Sequence, residues 1–195
     1  MLVVGFDPGG AAAFGWAVIS GSFDEPQLVA GGVCSGARTA VESAAKHLCA
    51  DPLAVGIDAP LFWSPSGDRQ ADSMVRKLVC KSGGRGGAVS HVNSLQGACL
   101  VEGAIAAHLV RSRWPVAQIT EAHPKALMAV CAEVKAFAKL PHLQGEGHHL
   151  RDAALGALSA LAMLERRANW HDLAAAEPAA LHPLGVQVAY WFPQT

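Results

Sequence analysis

Three acidic side chains each stand at the end of a short apolar run. Asp7 ends LVVGFD, Asp58 ends LAVGID, and Glu121 directly follows VAQIT. Such runs predict buried strands, and sites in α/β sheets form at the carboxyl ends of strands. If the three strands are neighbours, the carboxylates converge and repel one another unless a cation lies between them. Mg²⁺ or Mn²⁺ suits this pattern, because hard cations prefer oxygen ligands and two such ions can hold both oxygens of a phosphoryl displacement.

A predicted helix adds two more side chains to this set. His149 and Asp152 open the run HLRDAALGALSALAML at a spacing of three residues, so they share one face of a helix. Gly156 and Ser159 continue that face and are small, so the helix can lie close to a sheet. His149 and Asp152 would then point toward the strand ends. Each acid alone has a simpler interpretation as a turn former or a helix-terminal charge, and the joint pattern is what favours chemistry.

The order of the elements predicts a mixed α/β sheet. Three strands joined by short turns come first and favour an antiparallel meander, and strands then alternate with helices. The last strand is a candidate edge strand in GVQVAYWF. The predicted strands are 2–7, 13–20, 27–34, 53–58 and 116–120, and the predicted helices are 39–50, 95–113, 125–139 and 150–167.

Composition limits the class of protein. The chain has 195 residues, 51% hydrophobic and 16% charged, which suits one folded domain spanning 1–195. The net charge of −1 gives no global basic field. Five single cysteines without a CxxC pair argue against a disulfide framework or a thiolate zinc site. The sequence shows neither a signal peptide nor a membrane span, so we expect a cytoplasmic protein with no membrane partner.

A long connection at about 61–94 is rich in glycine, serine and basic residues. We expect a mobile loop over the strand ends that neutralises substrate phosphates. An amphipathic helix followed by a flexible linker explains the same residues equally well. The candidate substrate-binding residues are Arg69, Arg76, Lys77 and Arg85.

Several motifs, in this order, resemble the ribonuclease H-like superfamily in its RuvC-type branch. The resemblance is closest to a family of predicted nucleases described as a domain of unknown function, and it covers roughly 2–164. The motifs are GFDPGG with FGWAVI, AVGIDAPL, RQADSMVRK, ITEAHP and HHLRDAALGALSAL. The resemblance implies a five-stranded mixed sheet whose first three strands are antiparallel, with helices on both faces.

The resemblance also implies a site. It places metal ligands at Asp7, Asp58 and Asp152, and His149 matches a position where some RuvC-type resolvases have histidine. Glu121 matches an acid of the fourth motif and joins the three aspartates as a catalytic candidate. A histidine in place of an acid removes one charge, which weakens a second metal position. RuvC-type resolvases work as dimers, so a homodimer is implied as well.

The pattern and the resemblance together predict a Mg²⁺- or Mn²⁺-dependent nuclease that acts on DNA or RNA. Two alternatives remain open at this point. An actin-like or sugar-kinase-like phosphotransferase shares an acidic start on an antiparallel hairpin, although such proteins need two domains. A weakly active or inactive nucleic-acid-binding protein with the same fold would also fit the histidine at position 149.

Overall fold

A five-stranded mixed sheet forms the centre of the fold. The computed structural model describes residues 1–9, 12–62, 69–89, 97–144, 148–177, 180, 182 and 187–194. The strands lie in the order β3-β2-β1-β4-β5. They are β1 (Leu2–Asp7), β2 (Phe14–Gly21), β3 (Pro26–Cys34), β4 (Ala54–Ile57) and β5 (Gln118–Glu121).

Strand direction brings the acids to one edge. β2 runs antiparallel to both β1 and β3, so β1 and β3 point the same way and the first three strands are not all mutually antiparallel. β4 pairs parallel with β1, and β5 pairs parallel with β4. The carboxyl ends of β1, β4 and β5 therefore meet at the same edge, which is where Asp7, Asp58 and Glu121 lie.

Helices cover both faces of this sheet. The helices are α1 (Ala37–Ala45), α2 (Gln70–Lys81), α3 (Gly97–Arg113), α4 (Pro124–Val130), α5 (Ala132–Phe137) and α6 (His149–Leu164). Alternate residues of the strands point to opposite faces: Val4 and Phe6 pack with α1 and α3, whereas Val3 packs with α2, α4 and α6. Within the described ranges, no helix is both long and apolar enough to cross a membrane.

Helix α6 lies directly on the backbone of the sheet. A Cβ atom added at Gly5 would overlap the carbonyl oxygen of Ala153, and one added at Gly56 would overlap that of Gly156. Only glycine allows this approach, because any side chain at these two strand positions would push the helix away from the sheet. The contact sets the height at which the first turn of α6 meets the carboxyl ends of β1 and β4.

Several predicted boundaries need correction. The segment 61–94 is not a loop throughout, since Gln70–Lys81 form α2 and bury Val75 and Val79 against the core; residues 63–68 and 90–94 lie outside the described ranges. The predicted helix 125–139 is two helices, because Cys131 has an extended backbone (φ −122°, ψ 115°). Helix α1 begins at Ala37 and ends at Ala45, earlier than the predicted 39–50.

The chain end also differs from the predicted edge strand. Trp191–Pro193 form β7, which pairs antiparallel with β6 (Trp170–Asp172) in a separate two-stranded sheet. One isolated bridge joins Ala189 to Thr120 of β5, so the tail touches the main sheet at a single point. Residues 185 and 186 of the predicted strand lie outside the described ranges.

Candidate active site

Asp7 and Asp58 line a small cavity at the carboxyl edge of the sheet. Its volume is about 170 Å³, and its walls also include residues that follow α2, one residue of α3, and the start of α4 with the residue before it. A larger cavity of about 760 Å³ lies elsewhere, between the end of α6 and the β6–β7 sheet. Its lining contains none of the predicted site acids, so the chemistry rather than the volume identifies the site.

The two cavity carboxyls bind protons unusually strongly. Burial raises the pKa of Asp7 to about 6; repulsion from Asp152 adds to this, and the hydrogen bond with His149 opposes it. Burial also raises the pKa of Asp58 to about 8, with repulsion from Asp7 and Asp152 adding to the shift and attraction to His123 opposing it. The protein's own cations therefore leave these acids incompletely neutralised, which is the condition under which carboxylates bind a metal ion.

The first turn of α6 supplies the predicted histidine and aspartate. His149 Nδ1 lies 2.6 Å from Asp7 Oδ2, so the helix is bonded to the end of β1. Asp152 is buried, and its Oδ1 accepts a hydrogen bond from Arg151 Nε at 2.8 Å and forms an ion pair with an Arg151 terminal nitrogen at 2.7 Å. His149 contacts Asp7 directly, and the charge of Asp152 acts on Asp7 and raises its pKa. Neither His149 nor Asp152 is among the described residues that line the cavity.

Glu121 reaches the same edge but has a different environment. Arg69 donates to both of its oxygens, at 2.9 Å and 2.6 Å, and His123 Nε2 lies 2.8 Å from Oε1. Burial would raise the pKa of Glu121, but the Arg69 charge and these hydrogen bonds outweigh it and lower that pKa to about 2. Glu121 is thus a fully neutralised carboxylate, unlike Asp7 and Asp58.

Arg69 is the centre of a buried ionic network. It has no exposed surface, it bonds Asp72 through two nitrogens at 2.8 Å and 2.6 Å, and its guanidinium lies 4.4 Å from the centre of the Phe62 ring. Asp72, Glu121 and His123 place three ligand atoms within 4.8 Å of one another and could hold a metal ion. The guanidinium already occupies both carboxylates there, however, and its charge opposes a second cation.

The predicted substrate-binding residues do not form the cavity. Arg69 has no exposed surface and is bonded within the ionic network, so its guanidinium is not available to a substrate. Arg76 is half-buried on α2, and Lys77 and Arg85 are exposed. None of the four is among the described residues that line the cavity, to which the basic segment contributes Gly87 and Ala88.

Sequence reasoning missed three cavity residues. His123, Lys125 and Cys99 all line the cavity, and burial together with the nearby acids raises the pKa of Cys99 to about 11. His123 and Lys125 follow Glu121 at a strand end, which is the signal that could have found them. The Arg69–Asp72 pair was visible as an Arg-x-x-Asp spacing, but its partner Glu121 lies 52 residues away.

The fold and the site define an α/β protein with carboxylates clustered at one edge of a mixed sheet. The family described as "Protein of unknown function (DUF429)" has a model that matches residues 5–182. The chain therefore belongs to that family, and the match includes Asp7, Asp58, Glu121 and Asp152. No curated protein matches the chain.

Proposed function

We propose that this protein is a metal-dependent hydrolase of phosphodiester bonds in nucleic acid, built on a ribonuclease H-like fold. The observation that carries the proposal is the pair Asp7 and Asp58, held in one cavity with both pKa values raised by burial and, to a smaller extent, by repulsion from Asp152. The sheet order, with helices on both faces, supports the fold assignment that the motifs implied.

The donor set fits Mg²⁺ or Mn²⁺. Asp7, Asp58 and Asp152 offer carboxylate oxygens, and hard divalent ions prefer oxygen ligands. The raised pKa values mean that the metal-free cavity avoids buried negative charge by binding protons, and a cation would replace those protons. Because His149 Nδ1 already bonds Asp7, His149 would contribute to metal binding either as a ligand through Nε2 or by orienting Asp7.

The site residues would have different roles in the proposed hydrolysis. A bound divalent ion would supply charge stabilisation and a more acidic water. Asp7 and Asp58 would hold the ion once they have lost their protons, and His149 fixes the orientation of Asp7 through the 2.6 Å bond. Glu121 is fully bonded, so its part is to anchor His123 and the main-chain N–H of Leu61.

The phosphotransferase alternative fits the cavity less well. Pockets for ligands of nucleotide size measure roughly 300 Å³ or more, whereas this cavity measures about 170 Å³. That volume suits one phosphate group with a few waters, as presented by a polymer lying across the edge of the sheet. The nucleic-acid-binding alternative differs from the proposal only in turnover, so it is separated by an activity assay.

The test is cleavage of labelled single-stranded, duplex and branched DNA and RNA with Mg²⁺ or Mn²⁺. We expect wild type and the control Asp51→Asn, at an exposed acid outside the site, to cleave at least one substrate. We expect Asp7→Asn to lose at least a hundredfold in rate, because it keeps the side-chain shape and removes the ligand charge. Binding without cleavage would support the inactive alternative, and saturable ATP binding without cleavage would support the phosphotransferase.

A further inference from the structure

One basic side chain at the cavity, that of Lys125, has no role in the proposed function as stated above. Lys125 lines the cavity with Asp7 and Asp58, and it is the only lysine or arginine among the described residues that do so. Its side chain is exposed. Within the described part of the chain it makes no hydrogen bond or ion pair, yet its charge acts on both carboxyls.

The main chain under Lys125 is held firmly. Ala122 N donates to the carbonyl oxygen of Ile57 at 2.8 Å, which ties the segment to the end of β4 beside Asp58. His123 is bonded to Glu121 at 2.8 Å, and its ring lies 5.2 Å from that of Tyr190. The buried network around Arg69 thus fixes the wall from which Lys125 projects.

We propose that Lys125 binds the phosphate of the substrate in the cavity beside Asp7 and Asp58. This inference rests on the proposed function and names the group that neutralises the phosphate. A flexible, unpaired ammonium on a fixed backbone suits a point contact to a phosphate oxygen. Asp7 and Asp58 would hold the divalent ion in this cavity, and Lys125 would add a second positive charge for the phosphate.

The chemistry separates this role from a structural one. A phosphate contact must weaken anion binding when the charge is removed and recover when a cation is restored. The same loss of charge must strengthen Mg²⁺ binding, because Lys125 repels a second cation near the acids. A purely structural defect would weaken the binding of phosphate and the binding of Mg²⁺ together.

The experiment is calorimetric titration of the full chain with inorganic phosphate in saturating Mg²⁺, and separately with Mg²⁺ alone. We expect Lys125→Gln to weaken phosphate binding about tenfold and to leave Mg²⁺ binding equal or stronger, while Lys125→Arg stays near wild type. Lys139→Gln, at an exposed lysine outside the cavity lining, is the matched control and should change neither affinity. The inference is overturned if Lys125→Gln binds phosphate as tightly as Lys139→Gln, or if wild type binds no phosphate at millimolar concentration.

A separate variant distinguishes failure of the inference from failure of the proposed function. If Asp7→Asn leaves Mg²⁺ affinity unchanged, the proposed metal site is wrong. Phosphate is then titrated without metal into Asp58→Asn, which removes a repelling carboxyl, and into the same variant carrying Lys125→Gln. If Asp58→Asn binds phosphate more tightly than the double variant, Lys125 is a phosphate contact. If the two proteins bind phosphate equally, that role of Lys125 is rejected.

Discussion

Metal binding at Asp7 and Asp58 should release protons, and their raised pKa values predict how many. Their pKa values are about 6 and about 8. At pH 7 a group of pKa 8 is about nine-tenths protonated and a group of pKa 6 about one-tenth protonated. A metal ion needs both carboxylates deprotonated, so about one proton should leave for each site filled. The affinity should therefore rise about tenfold from pH 6.5 to pH 7.5.

The assay is calorimetry of Mn²⁺ binding at pH 7 in two buffers with different ionisation enthalpies. The difference in apparent enthalpy, divided by the difference between the buffers, gives the number of protons released. We expect about one for wild type and for Asp51→Asn, and about one-tenth for Asp58→Asn, since only the Asp7 proton remains. Metal binding that depends on Asp7 but releases no proton at pH 7 would refute the reasoning, because both carboxyls would then be ionised before metal arrives.

The same pKa shifts predict how metal-free stability depends on pH. A carboxyl whose pKa is raised on folding binds more protons in the folded state, so its contribution to the unfolding free energy falls as pH rises. For Asp58 that fall runs from about pH 4 to about pH 8, with a slope of about 1.4 kcal/mol per pH unit. Urea denaturation of metal-free protein at pH 6, 7 and 8 should show this loss, and Asp58→Asn should flatten it. An unchanged slope in Asp58→Asn would assign the pH dependence to other groups.

Two further substitutions test the scaffold under the site by urea denaturation. Gly56→Ala should lower the unfolding free energy by about 3 kcal/mol, at the upper end of overpacking costs, because the new methyl meets helix backbone; Gly87→Ala, whose Cβ meets nothing within 4 Å, should be near neutral. Arg69→Met should lower the unfolding free energy by about 3–5 kcal/mol, because it leaves buried carboxylates without their cation. Lys77→Met, on the exposed side of α2, should change it little. Adding Glu121→Gln to Arg69→Met should restore part of the lost stability. A Gly56→Ala protein as stable as Gly87→Ala, or an Arg69→Met protein as stable as Lys77→Met, would contradict the packing described here.

The parts of the site that sequence predicts are those set by local pattern. An apolar run with an acid at its end defines both the strand and the place of the acid, so Asp7 and Asp58 could be assigned to strand ends. The spacing of His149 and Asp152 is a property of one helix, and the small residues of α6 indicate its close packing. The glycines in the facing strands, such as Gly56, complete that contact.

The rest depends on contacts between distant parts of the chain. Nothing near Arg69 in sequence indicates that its guanidinium lies against Glu121. The composition of 61–94 was explained equally well by a mobile loop and by an amphipathic helix, and the helix is the alternative found at Gln70–Lys81. The extended backbone at Cys131 separates α4 from α5. The apolar residues across 125–139 predict one continuous helix and give no sign of this break. Lys125 lies in a helix, as predicted. Its position in the cavity wall depends on contacts with distant parts of the chain, so the sequence does not reveal it.

Asp58 and Glu121 show why a strand-end acid alone does not define a reactive group. Both end neighbouring parallel strands and both lie in surroundings that disfavour charge, yet the pKa of one is about 8 and of the other about 2. The difference comes from Arg69, whose guanidinium bonds Glu121 directly. Asp58 has no such bonded cation: burial raises its pKa, attraction from His123 opposes the shift, and repulsion from Asp7 and Asp152 adds to it. Glu121, whose charge Arg69 neutralises, belongs to the scaffold, whereas Asp58 must bind a proton or a metal ion to lose its charge, and this difference is why we propose Asp7 and Asp58 as the centre of the site.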